Sequence, residues 1–306
     1  MRMSRRVWLT GALAAPAGAA GSYVVWRRRR RQRGALPESV VRETIVGERR
    51  IIESNSVPNH PVGDFPNSHD PVTLSAQSLH YEMPAVPKVA DRTRPLAMWH
   101  FGVALNGVPF DPSGPFWAGD GSSGWQFEVM CPGNALALGI DVNNAHTQGR
   151  GMYHYHGMPT GLLWELRRQG PSRPMQLLGH AADGFPIYGP DASSSSDDLA
   201  SPIKRLRSSY RLRSGRRASG PGGRFDGTFV EDYEYQPGHG DLDECNGRTG
   251  PTTEYPDGTY YYVLTDDFPY IPRLYRGEPD ATFKHGPPPG VSPPLPHELR
   301  RYRGMS

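Results

Sequence analysis

Residues 153–156 read Tyr-His-Tyr-His, and an alternation of period two commits this stretch to an extended strand. On such a strand His154 and His156 point to one face, Tyr153 and Tyr155 to the other. The chain must therefore build a sheet that packs aromatic rings on one side and presents paired imidazoles on the other. Two imidazoles so placed can hold one metal ion or two ends of one polar substrate. The tyrosines, good strand formers, pack on the reverse side. Histidine is scarce elsewhere. Of 11 in the chain, His146, His154, His156 and His180 fall within one 35-residue stretch.

Helix breakers carry the same argument across the chain. Gly and Pro together account for 68 of 306 residues, too many for long helices. Fifteen Tyr and six Trp supply enough buriable area to exclude wholesale disorder. The expected fold is mostly β: a single β-sandwich-like, loop-rich domain with one or two short helices. Residues 97–105 and 259–264 give the clearest strands. Residues 160–169 give the clearest helix, with Thr160 as N-cap and two arginines near the C-terminus. A second short helix is expected near 134–138. Residues 106–134 are expected to form an aromatic-rich loop.

Charge divides the chain in two. Nine of its 34 basic residues lie in the first 33 positions, which hold no acidic residue, so the rest has an acidic excess of six. Such a body has no electrostatic footprint for nucleic acid. The basic run over 203–224 is expected to be a solvated hairpin, with docking of an anionic partner as the alternative. Ser4-Arg5-Arg6 followed by a weakly apolar stretch and Ala17-Gly18-Ala19 resembles a twin-arginine export signal. Residues 1–33 are expected to direct export to the periplasm, cell surface or medium. Membrane anchoring through residues 7–26 is the alternative, because Arg27 to Arg31 follow that stretch directly. Residues 34–50 read as a linker. The Pro-rich segment 285–306 reads as a disordered tail.

Three segments carry candidate chemistry. Asp141 to His146 leads into the Tyr-His-Tyr-His strand, and neutral imidazole suits zinc, copper, iron and nickel. His146, His154, His156 and His180 are candidate ligands, with Asp141, Asn144 or Asp183 as their supporting hydrogen-bond partners. His180 and Asp183 flank a turn before a short strand at 185–188. Asp241, Asp243 and Glu244 form an acidic run that suggests calcium, although the spacing fits no EF-hand and a polar turn explains it equally. Cys131 and Cys245 are the only cysteines. They pair as one disulfide in an oxidising compartment or remain as two buried thiols.

Taken together, Tyr153–His156, Asn59-His60, Leu105-Asn106-Gly107, Asp141 to His146, Asp183 to Gly189, Asp241 to Gly247 and Phe268 to Arg273 resemble the blocks of the YHYH domain family. The resemblance extends from about residue 51 to 284 and implies no particular reaction. The leading expectation is an exported protein with a His-centred copper or zinc site, copper preferred. One alternative is a non-catalytic extracellular module that binds a glycan or peptide on Trp117, Trp125, Tyr153 and Tyr155, with calcium at its carboxylates. The other is a metal-free hydrolase using His and Asp. No residue is assigned a catalytic role from sequence.

Overall fold

The computed structural model describes residues 36–97, 100–118, 121–169, 175–284 and residue 299. The export-signal and anchor stretch lies outside the described residues, as does the Pro-rich tail apart from Leu299. That one tail residue is buried against Phe127, Ala137 and Phe229. No helix among the described residues is long and apolar enough to cross a membrane.

The expected mostly β, loop-rich domain with two short helices is what these residues form. Strands β1 (Val41–Val46), β2 (Arg49–Ser54) and β3 (Leu79–Pro84) make an antiparallel sheet. Strand β1 falls inside the stretch read as a linker. Its side chains are all exposed, so no period-two burial pattern marked it. Next come β4 (Arg94–Pro95), β5 (Gly102–Ala104), β6 (Pro109–Phe110) and helix α1 (Pro132–Ala137). They are followed by β7 (Ala145–Gln148), β8 (Met152–Tyr155), helix α2 (Thr160–Gln169), β9 (Leu177–Ala181) and β10 (Pro186–Tyr188). Strands β11 (Asp191–Ser193), β12 (Ile203–Arg205), β13 (Tyr210–Leu212) and β14 (Tyr233–Tyr235) are short. The chain ends its described strands with β15 (Gly247–Gly250), β16 (Thr259–Val263) and β17 (Leu274–Tyr275).

The principal sheet has eight strands in the order β15-β16-β10-β9-β5-β6-β8-β7. It is mixed: β6 runs parallel to β8 and β10 parallel to β16, while the other pairs are antiparallel. Ile52, Tyr81 and Met83 of the three-stranded sheet share one core with Val103, Phe110, Tyr153 and Tyr155 of the large one. Two sheets thus enclose one apolar layer, the sandwich-like element of the fold. The basic run at 203–224 contributes β12 and β13, whose side chains are largely exposed; they pair with β11 and β14 and not with each other, so the run is solvated but does not form the expected hairpin.

Local sequence explains the elements that matter most for function. The β7–β8 hairpin turns through Gly149 and Gly151, both with positive φ. A Cβ on Gly151 would lie 2.4 Å from the Thr73 carbonyl oxygen, so the turn packs on backbone and accepts no side chain. Helix α1 begins with Pro132, whose missing N–H costs nothing at that position. In α2, Thr160 is the first helical residue and not a cap. Its hydroxyl donates to the Val142 carbonyl at 2.8 Å, tying the helix to the loop before β7.

Gly161 brings that helix against the aromatic face of β8. A Cβ there would meet His60 Nδ1 at 2.5 Å and Asn143 Oδ1 at 2.6 Å. Gly161→Ala is therefore expected to destabilise the domain by about 1–3 kcal/mol through overpacking. Urea denaturation that leaves the midpoint unchanged would contradict this packing.

Candidate metal centre

Antiparallel register sets the site. In the β7–β8 hairpin Ala145 faces Tyr155, His146 faces His154 and Thr147 faces Tyr153. Directly opposed residues share a face, so His146 joins His154, and His156 joins them two residues further along. The three rings lie edge to face, with centroids 4.7 Å (146–154), 5.0 Å (146–156) and 4.6 Å (154–156) apart. One ring nitrogen from each falls within 4.8 Å of the others. A tetrahedral ion with nitrogens at about 2.0–2.1 Å holds its ligands roughly 3.3 Å apart, which modest ring rotations would reach.

Hydrogen bonds on the far side of the rings select the ligating atoms. His146 donates Nδ1–H to the Leu138 carbonyl at 2.8 Å, and His154 donates Nδ1–H to the Met152 carbonyl at 3.2 Å. Each bond leaves an Nε2 lone pair for a ligand. Nε2 of His154 and both ring nitrogens of His156 are buried with no hydrogen-bond partner. Buried polar atoms are rarely left so. Asp70 supports the hairpin from the side: its Oδ2 accepts from Thr147 N and Oγ1 and lies 3.8 Å from His146 Nδ1.

Behind the strand the tyrosine face is saturated. The Tyr153 hydroxyl donates to Asp141 Oδ2 and accepts from Asn143 Nδ2. His60 bonds the Pro61 carbonyl through Nδ1, leaving Nε2 to accept from the Tyr155 hydroxyl, which itself accepts from Asn106 Nδ2. Tyr153 and Tyr155 are fully buried. They anchor the backbone that aims His154 and His156 the other way.

A family model for the YHYH protein matches residues 80–277, about two thirds of the chain, and spans all three clustered imidazoles. The chain belongs to the YHYH protein family. No curated protein and no solved structure matches it. The matched region begins some 30 residues later and ends a few earlier than the resemblance read from the blocks alone.

Within the YHYH protein fold, several sequence-predicted site residues stand apart from the triad. His180 does not join it. It lies on β9, with β5 and β6 between it and β8, a separation of about 14 Å at normal strand spacing. Asp141 serves the opposite face of β8, accepting from Tyr153, Asn143 and the Gly63 N–H, so it supports the tyrosine and no imidazole. Asn144 acts through its backbone: its carbonyl accepts the His156 N–H at 2.7 Å. Its positive φ of 56° is one that Asn tolerates. Asp183 is spent on the Tyr262 hydroxyl and the Gly277 and Phe185 N–H groups. None of its bonds reaches His180, and the two do not form an acid–base pair.

The acidic run is a polar turn. Asp241 pairs with Lys204 and the Arg207 N–H, and Asp243 accepts from Cys245 N, Gly247 N and the Tyr260 hydroxyl. Glu244 is exposed. These carboxylates diverge, and among the described residues only the His triad gathers three metal-ligating side chains. Cys131 and Cys245 are free thiols, one at the start of α1 and one buried beside the Asp243 turn, so of the two readings the unpaired one holds. Burial pushes both thiols up in pKa. The proposed glycan platform also loses half its members, because Tyr153 and Tyr155 are inaccessible. Sequence reasoning did not assign roles to His60, Asn106, Asn143, Asp70 or Asp111; the first three stood in family blocks, but nothing local marked the last two.

Desolvation keeps the imidazoles neutral. Burial, followed by the neighbouring His154 ring, lowers His146 to about 4. Burial lowers His154 to about 4 and His180 to about 3, and His156 lies well below its ordinary value for the same reason. These shifts define an acid response. Above about pH 6.5 the unfolded imidazoles are neutral as well. Below it the unfolded chain binds protons that the folded chain refuses, so stability falls with pH until the folded values are reached. Buried Asp183, raised to about 6, has the opposite sign and recovers some stability between pH 6 and its ordinary range. Four histidines outweigh it. The metal-free protein is expected to lose on the order of a few kcal/mol between pH 7 and pH 5. Equal urea midpoints at those pH values would contradict the neutral, buried cluster.

Proposed function

We propose that this protein binds one transition-metal ion, copper or zinc, through His146, His154 and His156, and that it is exported. The observation that carries this reading is the convergence of three imidazoles, two of them (His154 and His156) with buried nitrogens that have no partner, on a hairpin whose other face is fully bonded. Leaving such nitrogens orphaned costs about 1–3 kcal/mol each, a cost that an ion would remove. Three neutral imidazoles without a thiolate suit copper and zinc alike, and the general affinity order favours Cu²⁺. Three protein ligands also leave a coordination position for water or a substrate. The twin-arginine-like N-terminus supports export, a route that suits a protein carrying a metal when folded.

Elemental analysis of the untagged native protein tests this directly. About one equivalent of copper or zinc per chain is expected. A protein that carries neither, and takes up neither when supplied, would end the proposal.

A further inference from the structure

The site has a fourth polar element that the ligand triad does not include. Strand β6 runs parallel to β8 with Phe110 opposite Tyr155, and the two rings pack on the same side with centroids 5.7 Å apart. The next residue, Asp111, donates its N–H to the Tyr155 carbonyl at 2.9 Å. Alternation then places the Asp111 side chain on the imidazole face, beside His156. From β7, on the other side of β8, Gln148 lies on that same face because it alternates with His146. Its Nε2 donates to Asp111 Oδ2 at 3.3 Å. The bond thus joins the two strands flanking β8 across the face that carries His154. Asp111 Oδ1 is held by the Ser113 N–H at 2.9 Å. The carboxylate is buried, 8% exposed, and fixed at both oxygens, with lone pairs to spare. The negative charge of Asp111 is felt at both His154 and His146. Yet Asp111 lies outside the group whose ligand atoms fall within 4.8 Å of one another, so it stands beside the triad and not within it.

We propose that Asp111, positioned by Gln148, governs what occupies the coordination position the three imidazoles leave open: it accepts a hydrogen bond from a protic ligand, water first, and disfavours small anions. The inference rests on the metal-binding reading and adds the chemical class of the exogenous ligand. A fixed carboxylate near an open position in a dry site accepts from O–H or N–H and repels a second negative charge. Asp111 is therefore a specificity-determining and positioning residue.

The test uses the full chain loaded with cobalt(II), a spectroscopic stand-in for zinc, and azide as the anionic probe. Wild type, Asp111→Asn and Gln148→Leu are compared after circular dichroism confirms that each is folded. Asp111→Asn is expected to retain one cobalt(II) per chain and to bind azide at least about tenfold more tightly, as judged from visible absorption. Gln148→Leu, which frees the carboxylate without removing its charge, is expected to fall between the two. Unchanged azide affinity in Asp111→Asn with cobalt retained would overturn the inference and leave the metal site standing. Loss of cobalt on Asp111→Asn would overturn it differently, by making Asp111 a ligand. A wild-type protein that takes up no cobalt, zinc or copper would remove this proposal and the metal reading together. Should Asp111→Asn not fold, the Gln148→Leu comparison decides: azide affinity equal to wild type sinks the inference.

Discussion

Replacing both His154 and His156 by alanine is expected to reduce the bound copper or zinc from about one equivalent to background while leaving the domain folded. Each substitution removes a buried ring from a cluster of three, and a first-row ion on one remaining imidazole binds little better than at the protein surface. Loss of an outer hydrogen-bond partner already costs 10–100-fold in affinity, so loss of two ligands is expected to exceed roughly a thousandfold. The fold should tolerate the change because the strand is anchored from its other side. Tyr153 and Tyr155 keep their bonds to Asp141, Asn143, His60 and Asn106. The deleted rings make one backbone bond between them, from His154 to Met152. His180→Ala serves as the control, since that ring lies outside the triad. Elemental analysis and isothermal titration on the three proteins measure the effect. Equal metal loss in His180→Ala would show that the ions report general damage and not this cluster.

Arg273→Met is expected to be among the most destabilising single changes in the domain. The Arg273 guanidinium reaches Glu128 Oε2 and the Pro112 carbonyl, both at 2.6 Å. It thereby joins the segment before α1 to the segment that follows β6. Glu128 is fully buried, and its other oxygen accepts the Met130 N–H at 3.0 Å. Burial already raises the Glu128 pKa against the counteracting charge of Arg273. Removing the arginine would leave a buried carboxylate uncompensated, at a cost of about 3–5 kcal/mol. That is a large share of the 5–15 kcal/mol typical of a domain. Glu128→Gln added to Arg273→Met removes the stranded charge at nearly constant volume and is expected to recover much of the loss. Denaturant titration of both singles and the double mutant gives the coupling energy. Strict additivity would show that the pair is not energetically linked. Because Pro112 follows Asp111 directly, the single mutant is also expected to loosen the carboxylate that overlooks the triad.

Much of this protein was legible in its residues because the informative patterns are local. Thr160 to Gln169 forms a helix because its apolar residues recur at helical spacing, and Leu162, Leu163 and Leu166 turn to the core. Residues Thr259–Val263 form a strand because five consecutive residues favour extended backbone. The exposed β1 strand was missed because nothing in its sequence alternates between buried and exposed. The acidic run at 241–244 left two readings open, calcium or a polar turn, and the fold decided for the turn. Carboxylates adjacent in sequence point in different directions once each has found its own backbone N–H or cation. The cysteines were equally undecided, since the meeting of two positions 114 residues apart is a property of the fold.

The tetrapeptide at 153–156 shows where that boundary lies. By itself the sequence determined which residues share a face: backbone pleating has a period of two, and no tertiary contact can place His154 and His156 on one side of a strand with Tyr155 between them on the same side. It also marked His146 and His180 as equal candidates to join them. Only the tertiary structure chose between the two. A hairpin through Gly149 and Gly151 sets His146 directly opposite His154, while sheet order leaves His180 three strands away. Asp111 was likewise invisible until β6 paired in parallel with β8. Alternation is encoded in neighbouring residues and can be read from them. Register and strand order are decided by which distant segments bury their apolar faces together.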